Sequence, residues 1–165
     1  MLFEAYGPPD GPSGGPPMRV LMELSRILIR ELNDYQIIEL REVRQADGDD
    51  AEESDDTPPR SFPIVIGLPE ASAIERGLSG TPIKRPQTHD LLAAVIRELG
   101  GVLESVTVTD LADSTFYATL DIRRHDGDLV NVDSRPSDAI ALGIAHGVPV
   151  YVEDHVIEAA GGEEL

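Results

Sequence analysis

The 165-residue chain contains no cysteine and no tryptophan, and Lys84 is its only lysine. Without cysteine the protein can form no disulfide, no thiolate nucleophile and no cysteine-ligated zinc or iron–sulfur site. No apolar run approaches eighteen residues, and the first residues lack the pattern of a secretory signal. We therefore expect a soluble, cytoplasmic protein that does not associate with membranes.

Basic residues are also scarce. Only 13 Lys and Arg stand against 31 Asp and Glu, for a formal net charge of −18. Proteins that bind nucleic acids without sequence preference present a basic face that neutralises phosphates and releases counterions. This acidic chain cannot cover itself with such a face. A compact local group of cations could still act on short or single-stranded substrates.

Three segments differ in composition from the rest of the chain. Residues 1–17 are dominated by Gly and Pro, which predicts a flexible leader, and residues 162–165 form a short tail. Residues 45–59 hold seven acids and no base. They predict a solvated loop between two strands, or alternatively a loop that mimics a polyanion and guards a basic site. The remainder, residues 18–161, fits one domain.

Strand and helix patterns follow one another without strict alternation. Strands are predicted in YQIIELREV, FPIVIG, VLESVTVTDL, TFYATLDIRR, LVNVD and VPVYV. Helices are predicted in PEASAIERGLSG, HDLLAAVIREL, an alanine-rich segment that ends at Ala145, and EDHVIEAAG. The segment MELSRILIREL fits either structure. The hairpins in this order favour an α+β domain with a mixed sheet over a doubly wound fold.

The predicted helices carry signals at both ends. Thr88 is the expected N-cap of the second helix, and Ser134 or Ser137 that of the third, because their hydroxyls can accept a backbone N–H bond. Gly80 and Gly147 lie just past the first and third helices, where a left-handed residue often ends a helix.

Polar residues concentrate at the starts of three helices. They are Glu70 in the first, Arg85, Thr88, His89 and Asp90 in the second, and Asp133, Ser134, Arg135, Ser137 and Asp138 in the third. Helix N-termini offer unpaired N–H groups and positive potential, which suit phosphate or carboxylate ligands. The chain carries no signature of a nucleotide-binding loop, a serine-hydrolase elbow or a zinc protease, and we expect no organic cofactor.

These residue types permit a functional and a structural interpretation. Arg can grip a phosphate, carboxylates can hold Mg²⁺ or Mn²⁺ and activate a water, and His can move a proton near neutral pH. Equally, Ser, Thr and Asp can cap helices while the arginines pair with the same acids. The parallel between KRPQTHD and SRPSD, about fifty residues apart, leaves both interpretations open.

Four longer motifs together resemble the bifunctional nuclease family, first catalogued as a domain of unknown function. They are FPIVIGLPEASAIERGLSG, RPQTHDLLAAVIRELGG, VTVTDLADSTFYATLDI and VDSRPSDAIALGIAHGVPVYV. Four motifs in the family's order are far more specific than any one of them. The resemblance runs from about Met22 to Gly161, and the leader and the acidic loop fall outside its pattern.

The resemblance implies an α+β single domain with a rolled mixed β-sheet and three to four helices, assembled as a homodimer. It makes MELSRILIREL a strand, and it implies a nuclease, because plant members are described as degrading both RNA and DNA. The positions that match the family's motifs are Glu70, Arg85, Pro86, Thr88, His89, Asp90, Phe116, Asp133, Arg135, Pro136, Ser137 and Asp138. We expect Pro86, Phe116 and Pro136 to be architectural.

Combined with the residue chemistry, the resemblance gives one specific hypothesis: a metal-assisted phosphodiesterase that acts on RNA or DNA. The expected catalytic residues are Glu70, His89, Asp90 and Asp138, with His89 as general acid or base. The expected substrate-binding residues are Arg85, Thr88, Arg135 and Ser137. The expected ligands of Mg²⁺ or Mn²⁺ are Asp90 and Asp138, together with Asp133 or Glu70.

Two other hypotheses use the same residues. In one, the chain is a non-enzymatic regulatory module that binds an anion or a partner at its helix N-termini. In the other, the motifs only hold a dimer together. A pocket with convergent carboxylates would favour the nuclease, whereas Arg85 and Arg135 in buried ion pairs without a cleft would favour the dimer.

Overall fold

A computed structural model describes residues 18–30, 32–44 and 57–161. Within these ranges the chain forms an α+β domain of seven strands and four helices. In chain order they are β1 (Arg19–Leu28), β2 (Gln36–Glu42), β3 (Ser61–Ile66), α1 (Leu68–Ser79), α2 (Thr88–Glu98), β4 (Val102–Ala112), β5 (Thr115–Arg123), β6 (Leu129–Ser134), α3 (Pro136–His146), β7 (Val150–Glu153) and α4 (Asp154–Gly161). The predicted leader (1–17), most of the acidic loop (45–56) and the tail (162–165) lie outside the described residues.

The seven strands form one mixed sheet in the order β3-β2-β1-β7-β4-β5-β6, which confirms the predicted fold class. β4 and β7 run parallel, and the other neighbours run antiparallel. Four strands lie between β3 and β5 in the sheet, yet Phe62 on β3 stacks on Phe116 on β5 with ring centroids 5.7 Å apart. This contact shows that the sheet is curled. Phe116 therefore has the architectural role expected of it.

The first three strands settle two sequence-based expectations. MELSRILIREL begins within β1, which pairs antiparallel with β2 through partners such as Leu24 and Leu40, so its assignment as a strand is confirmed. β2 ends at Glu42 and pairs antiparallel with β3, which begins at Ser61. The acidic segment therefore connects two neighbouring strands, as predicted.

Helix α3 is the most buried of the four described helices, because seven of its eleven residues are buried. Ile140 and Leu142 are 0% exposed. Gly143 allows the helix to approach the sheet closely, since a Cβ at this position would lie 3.0 Å from Cγ2 of Val106 and 3.3 Å from Cγ2 of Val150. Burial on this scale makes α3 the rigid element on which the neighbouring helix starts are placed.

Helix α2 differs from α3 in having no buried residue. Leu91, Val95 and Leu99 follow a four-residue spacing and are 56%, 44% and 77% exposed. Residues with this spacing share one face of a helix. We call them the α2 apolar stripe. Among the described residues, no helix is long and apolar enough to cross a membrane.

The predicted C-terminal glycines are confirmed, but the predicted N-caps are wrong. Gly80 and Gly147 follow α1 and α3 in the left-handed conformation, with φ of 62° and 63°. Gln87 occupies the N-cap position of α2, not Thr88, which is the first residue of the helix. The backbone N–H of Gln87 donates to Oδ2 of Asp90 at 3.0 Å, so a carboxylate inside the first turn supplies the capping bond.

The N-cap of α3 is Arg135, so the predictions of Ser134 and Ser137 are both wrong. The fixed φ of Pro136 suits the first helical position, which leaves Arg135 as the flanking residue and places Ser137 inside the first turn. The hydroxyl of Ser134 instead donates to the carbonyl oxygen of Arg135 at 2.9 Å.

Candidate functional site

Three helix starts meet at one place through a chain of hydrogen bonds. Nη2 of Arg135 donates to Oε1 of Glu70 at 2.8 Å and to Oδ1 of Asp138 at 3.1 Å, and its Nε donates to Oδ2 of Asp138 at 2.8 Å. Nε2 of His89 lies 2.9 Å from Oδ1 of the same carboxylate. We call Glu70, His89, Arg135 and Asp138 the helix-start cluster.

The position of each member follows from its place in a helix. Glu70 and Asp138 are the third residues of α1 and α3, His89 is the second residue of α2, and Arg135 is the N-cap of α3. Acids are favoured there because the helix dipole is positive at its N-terminus. The three helix dipoles add positive potential at this point, where the side chains themselves set two carboxylates, Glu70 and Asp138, against one guanidinium, Arg135.

Burial differs sharply among the four side chains. Glu70, His89 and Asp138 are 13%, 18% and 28% exposed, whereas Arg135 is 66% exposed. The acids and the imidazole therefore lie partly shielded, and the guanidinium reaches solvent. The network occupies Nε and Nη2 of Arg135, so its Nη1 can meet a ligand.

Hydrogen bonding sets the ionisation of two members. Burial alone would raise the pKa of Asp138, but hydrogen bonds from Arg135 and then His89 outweigh it and lower that pKa below its ordinary value. Hydrogen bonds to Asp138 and then to Glu70 raise the pKa of Arg135. The pair is therefore a carboxylate and a guanidinium at neutral pH.

Gly67 leaves the space that the carboxyl group of Glu70 occupies. A Cβ at Gly67, the N-cap of α1, would collide with Oε2 of Glu70. The carboxyl group can therefore fold back over the start of its own helix and reach Arg135. The flexible carboxylate, not the backbone, would have to move if residue 67 carried a side chain.

A second polar feature lies along another side of α2. A cleft of about 300 Å³ is lined by Ile83, Lys84, Arg85, Pro86, Asp90, Ala94, Arg97 and His146. We call it the basic cleft, because three basic side chains, Lys84, Arg85 and Arg97, line it together with one carboxylate, Asp90. Arg97 and His146 come from the C-terminal turns of α2 and α3, and neither was among the residues selected from the sequence.

The predicted site residues are thus divided between two places. Glu70, His89, Arg135 and Asp138 meet in the helix-start cluster, whereas Arg85 and Asp90 line the basic cleft. The remaining three are elsewhere in their elements: Thr88 is exposed at the start of α2, Asp133 is exposed on β6, and Ser137 is 7% exposed in the first turn of α3. The two arginines predicted to clamp one phosphate have different surroundings.

Comparison with known proteins identifies the family. The model of the family described as "Bifunctional nuclease domain" matches residues 52–164, more than half of the chain. The chain belongs to the bifunctional nuclease domain family. The matched range starts within the acidic segment, whereas the resemblance seen in the sequence began near Met22 and included β1 and β2.

Two curated relatives of this bifunctional nuclease domain come from strains of Mycobacterium tuberculosis. They are named uncharacterized protein MT1877 and uncharacterized protein Rv1829. Each is 40% identical over 119 residues, which are 72% of this chain and 64% of the relative. The chain therefore spans less than two thirds of the length of these relatives.

The predicted metal ligands of the bifunctional nuclease domain do not come together. Across residues 18–30, 32–44 and 57–161, no group of three His, Asp or Glu side chains could hold a metal ion. Asp138 is bonded to Arg135 and His89, and Asp90 accepts the N–H bond from Gln87. The set Asp90, Asp133 and Asp138 does not fit a metal site formed by the protein alone, and metal dependence stays a prediction.

One buried carboxylate was missed in the sequence. Asp121 is 3% exposed and accepts hydrogen bonds from Ser105 and Thr107 at 2.7 Å, Thr119 at 2.9 Å and Asn131 at 2.7 Å. These donors come from β4, β5 and β6, so the carboxylate ties three strands together and is fully satisfied. The signal was present as polar residues at every second position of two neighbouring strands, which places them on one face.

Proposed function

We propose that this protein is a phosphodiesterase that cleaves RNA or DNA, with the helix-start cluster as its catalytic centre. The observation that carries the proposal is the contact between His89 and Asp138, which joins two helix starts beside an exposed guanidinium. A histidine held by a carboxylate is a common arrangement for proton transfer. Membership of the bifunctional nuclease domain family supports the choice of substrate.

The roles of the histidine and its carboxylate follow from the hydrogen bond. When Nε2 of His89 carries the proton and donates to Asp138, Nδ1 is the acceptor. Nδ1 can then take a proton from an attacking water and later return it to the leaving oxygen. Asp138 keeps the ring oriented and stabilises the imidazolium that forms, as the lowered pKa of this carboxyl group allows.

Arg135 supplies positive charge to the phosphate. Its raised pKa keeps it cationic, and its exposed side chain keeps Nη1 within reach of a substrate. A guanidinium stabilises the charge that develops on the phosphoryl oxygens as the bond breaks. Glu70 also helps to orient the guanidinium, because it accepts a hydrogen bond from Nη2.

The remaining sequence-based assignments stay as proposals. Arg85 would bind the substrate in the basic cleft, where Asp90 would be a catalytic residue or metal ligand. Thr88 and Ser137 would bind the substrate at the starts of α2 and α3. Mg²⁺ or Mn²⁺ would have to rely in part on oxygens of the substrate, because the described residues supply no protein-only site. A divalent ion would add charge stabilisation at the phosphate.

The test is cleavage of labelled single-stranded RNA and DNA in Mg²⁺, Mn²⁺ or EDTA, at low and high salt. Wild type is compared with Asp138→Asn, which keeps the shape of the side chain but removes its charge. The matched control is Asp110→Asn, since Asp110 also lies beside a histidine, with Oδ1 3.6 Å from Nε2 of His155. Circular dichroism establishes that each variant is folded.

We expect cleavage by wild type and by Asp110→Asn, and loss of cleavage in Asp138→Asn. Equal cleavage by all three proteins would indicate contamination and would overturn the proposed centre. If no protein cleaves either substrate, the regulatory module becomes the better function, and the excess of cations over carboxylates in the basic cleft favours an anion as its ligand.

We also propose that the chain assembles as a homodimer. The α2 apolar stripe supports this, because exposed apolar side chains aligned on one helix face are a common feature of helix–helix interfaces. Light scattering coupled to size exclusion should give twice the mass of one chain for wild type and a smaller mass for Leu91→Gln/Val95→Gln. A wild-type mass of one chain would contradict the homodimer.

A further inference from the structure

The basic cleft continues into a second, mostly apolar cleft of about 300 Å³. The two clefts share Arg97 and His146, so they meet at the C-terminal ends of α2 and α3. We call the combined feature the two-part cleft. Its halves differ in chemistry, and the shared residues fix where one gives way to the other.

The basic half holds cations that the described residues neutralise weakly or not at all. Lys84 and Arg85 make no ion pair or hydrogen bond with any described residue. Arg97 contacts only the neighbouring Glu98, at 3.6 Å, and both side chains are about three-quarters exposed, so this pair contributes little. In contrast, Arg41 on β2, Arg60 just before β3 and Arg123 on β5 are each bonded to a carboxylate.

The charge balance of this half favours an anionic ligand. Lys84, Arg85 and Arg97 give three positive charges against one negative charge from Asp90, while the whole chain carries −18. The Asp90 carboxylate is also engaged by the backbone N–H of Gln87. A concave group of cations with weak or no pairing among the described residues is the local feature that can attract a phosphate despite an acidic surface.

The other half offers an apolar wall to a flat group. Ala93 and Ile96 of α2 face Leu103 of β4 and Val148 across the cleft. His146 stands at the border, where its planar ring can stack on a base. A nucleotide has the same two-part character, a charged phosphate joined to a flat base that gains from burial.

We propose that the two-part cleft binds one nucleotide unit, with its phosphate against Lys84, Arg85 and Arg97 and its base against the apolar wall. This site differs from the helix-start cluster: Asp90, Ala94 and Arg97 share one side of α2, while His89 reaches the start of α3. The choice of a nucleotide rests on the proposed function, whereas the location rests on the cleft itself. The phosphate can come from a nucleic-acid strand or from a free mononucleotide.

Binding without cleavage tests this proposal. Fluorescence anisotropy of a labelled single-stranded oligonucleotide is measured in EDTA, with AMP and adenosine as competitors. Wild type is compared with Lys84→Gln/Arg97→Gln, neither of which belongs to the proposed catalytic centre. The matched control is Arg26→Gln/Arg41→Gln, which removes the same charge from β1 and β2. A charge-preserving variant, Lys84→Arg/Arg97→Lys, separates loss of charge from loss of fold.

We expect the cleft variant to bind the oligonucleotide about tenfold more weakly, with the control and the charge-preserving variant close to wild type. The salt dependence of the cleft variant should also fall, by about 0.7 in logarithmic slope for each lost phosphate contact. Competition by AMP identifies a free nucleotide as a sufficient ligand, whereas competition only by oligonucleotides identifies the strand.

Three results would overturn the proposal: equal weakening by the cleft and control variants, competition by adenosine as strong as by AMP, or no binding of either ligand to wild type. Because anisotropy is read only from oligonucleotide that a gel shows to be intact after the measurement, this outcome is independent of the cleavage test. Cleavage with unchanged binding in the cleft variant would contradict this inference alone. Binding lost in the cleft variant without any wild-type cleavage would contradict the proposed nuclease alone.

Discussion

The two Arg-Pro segments, KRPQTHD and SRPSD, are similar in sequence but differ in structure. In the second, Arg135 is the N-cap of α3 and Pro136 its first residue, so the arginine lies directly beside Asp138 in the first turn. In the first, Arg85 and Pro86 precede the N-cap of α2, and Arg85 lines a cleft without an ion pair among the described residues. A shift of two residues separates an arginine that is paired at its helix start from one that has no partner among the described residues.

The acids of the two segments differ in the same way. Asp90 and Asp138 are both third residues of their helices. Asp90 has no arginine at the N-cap and accepts a backbone N–H bond, whereas Asp138 joins Arg135 to His89. The comparison shows that an equivalent position in a helix does not give an equivalent role. The residue at the N-cap determines which role the acid in the first turn takes.

The largest expected effect is on the cleavage rate, and it compares His89 of the helix-start cluster with His155, another histidine beside carboxylates. His89→Gln should lower the cleavage rate by about 10²–10⁴-fold, the usual contribution of a general acid or base. His155, which lies 3.4 Å from Glu153 and 3.6 Å from Asp110, is the matched control. Single-turnover cleavage of labelled RNA measures both variants. Equal rates for His89→Gln and His155→Gln would contradict the assigned centre.

A second prediction concerns the burial of the two helices. Leu142→Ala in α3 should lower the free energy of unfolding by about 2–5 kcal/mol, because it leaves a cavity beneath a fully buried helix. Leu91→Ala in α2 should change it by less than about 0.5 kcal/mol, since its side chain is exposed. Urea unfolding is measured at a dilution where light scattering shows single chains. Similar losses in both variants would contradict the exposed position of α2.

The smallest expected effect concerns pH. Because the folded pKa of Asp138 is lowered from its ordinary value of 3.8, its ionised form stabilises the fold above that pH. This contribution is lost as the pH falls through the lower folded value. The difference in unfolding free energy between wild type and Asp138→Asn should therefore shrink below about pH 4. A difference that stays constant or grows on acidification would contradict the ion pair.

The sequence allowed the fold and part of the site to be predicted, for physical reasons that differ between them. The fold could be predicted from local signals, which are the helix-ending Gly80 and Gly147, the alternating pattern of the strands and the hairpins. The structure confirms them. The cap predictions failed because Ser and Thr compete with a proline that fixes where α3 begins and with an acid that caps α2. Such competition is resolved by local geometry that residue types do not reveal.

The members of the helix-start cluster could be predicted from the sequence, because all are polar residues at helix starts. Which helix starts lie close together could not be predicted, because the curled sheet and the buried α3 determine this. Arg97 and His146 were missed because they lie at helix C-termini, away from the polar helix starts, and only the packing of α2 beside α3 joins them to Lys84 and Arg85.

The most direct test of the central comparison is to measure kcat and KM for Arg135→Gln and Arg85→Gln on one single-stranded substrate. If Arg135 acts on the reacting phosphate and Arg85 only holds the strand, Arg135→Gln should lower kcat by about tenfold or more. Arg85→Gln should then raise KM and leave kcat within about twofold of wild type. The same change in the same parameter for both variants would show that the two arginines serve one site, and would contradict this account.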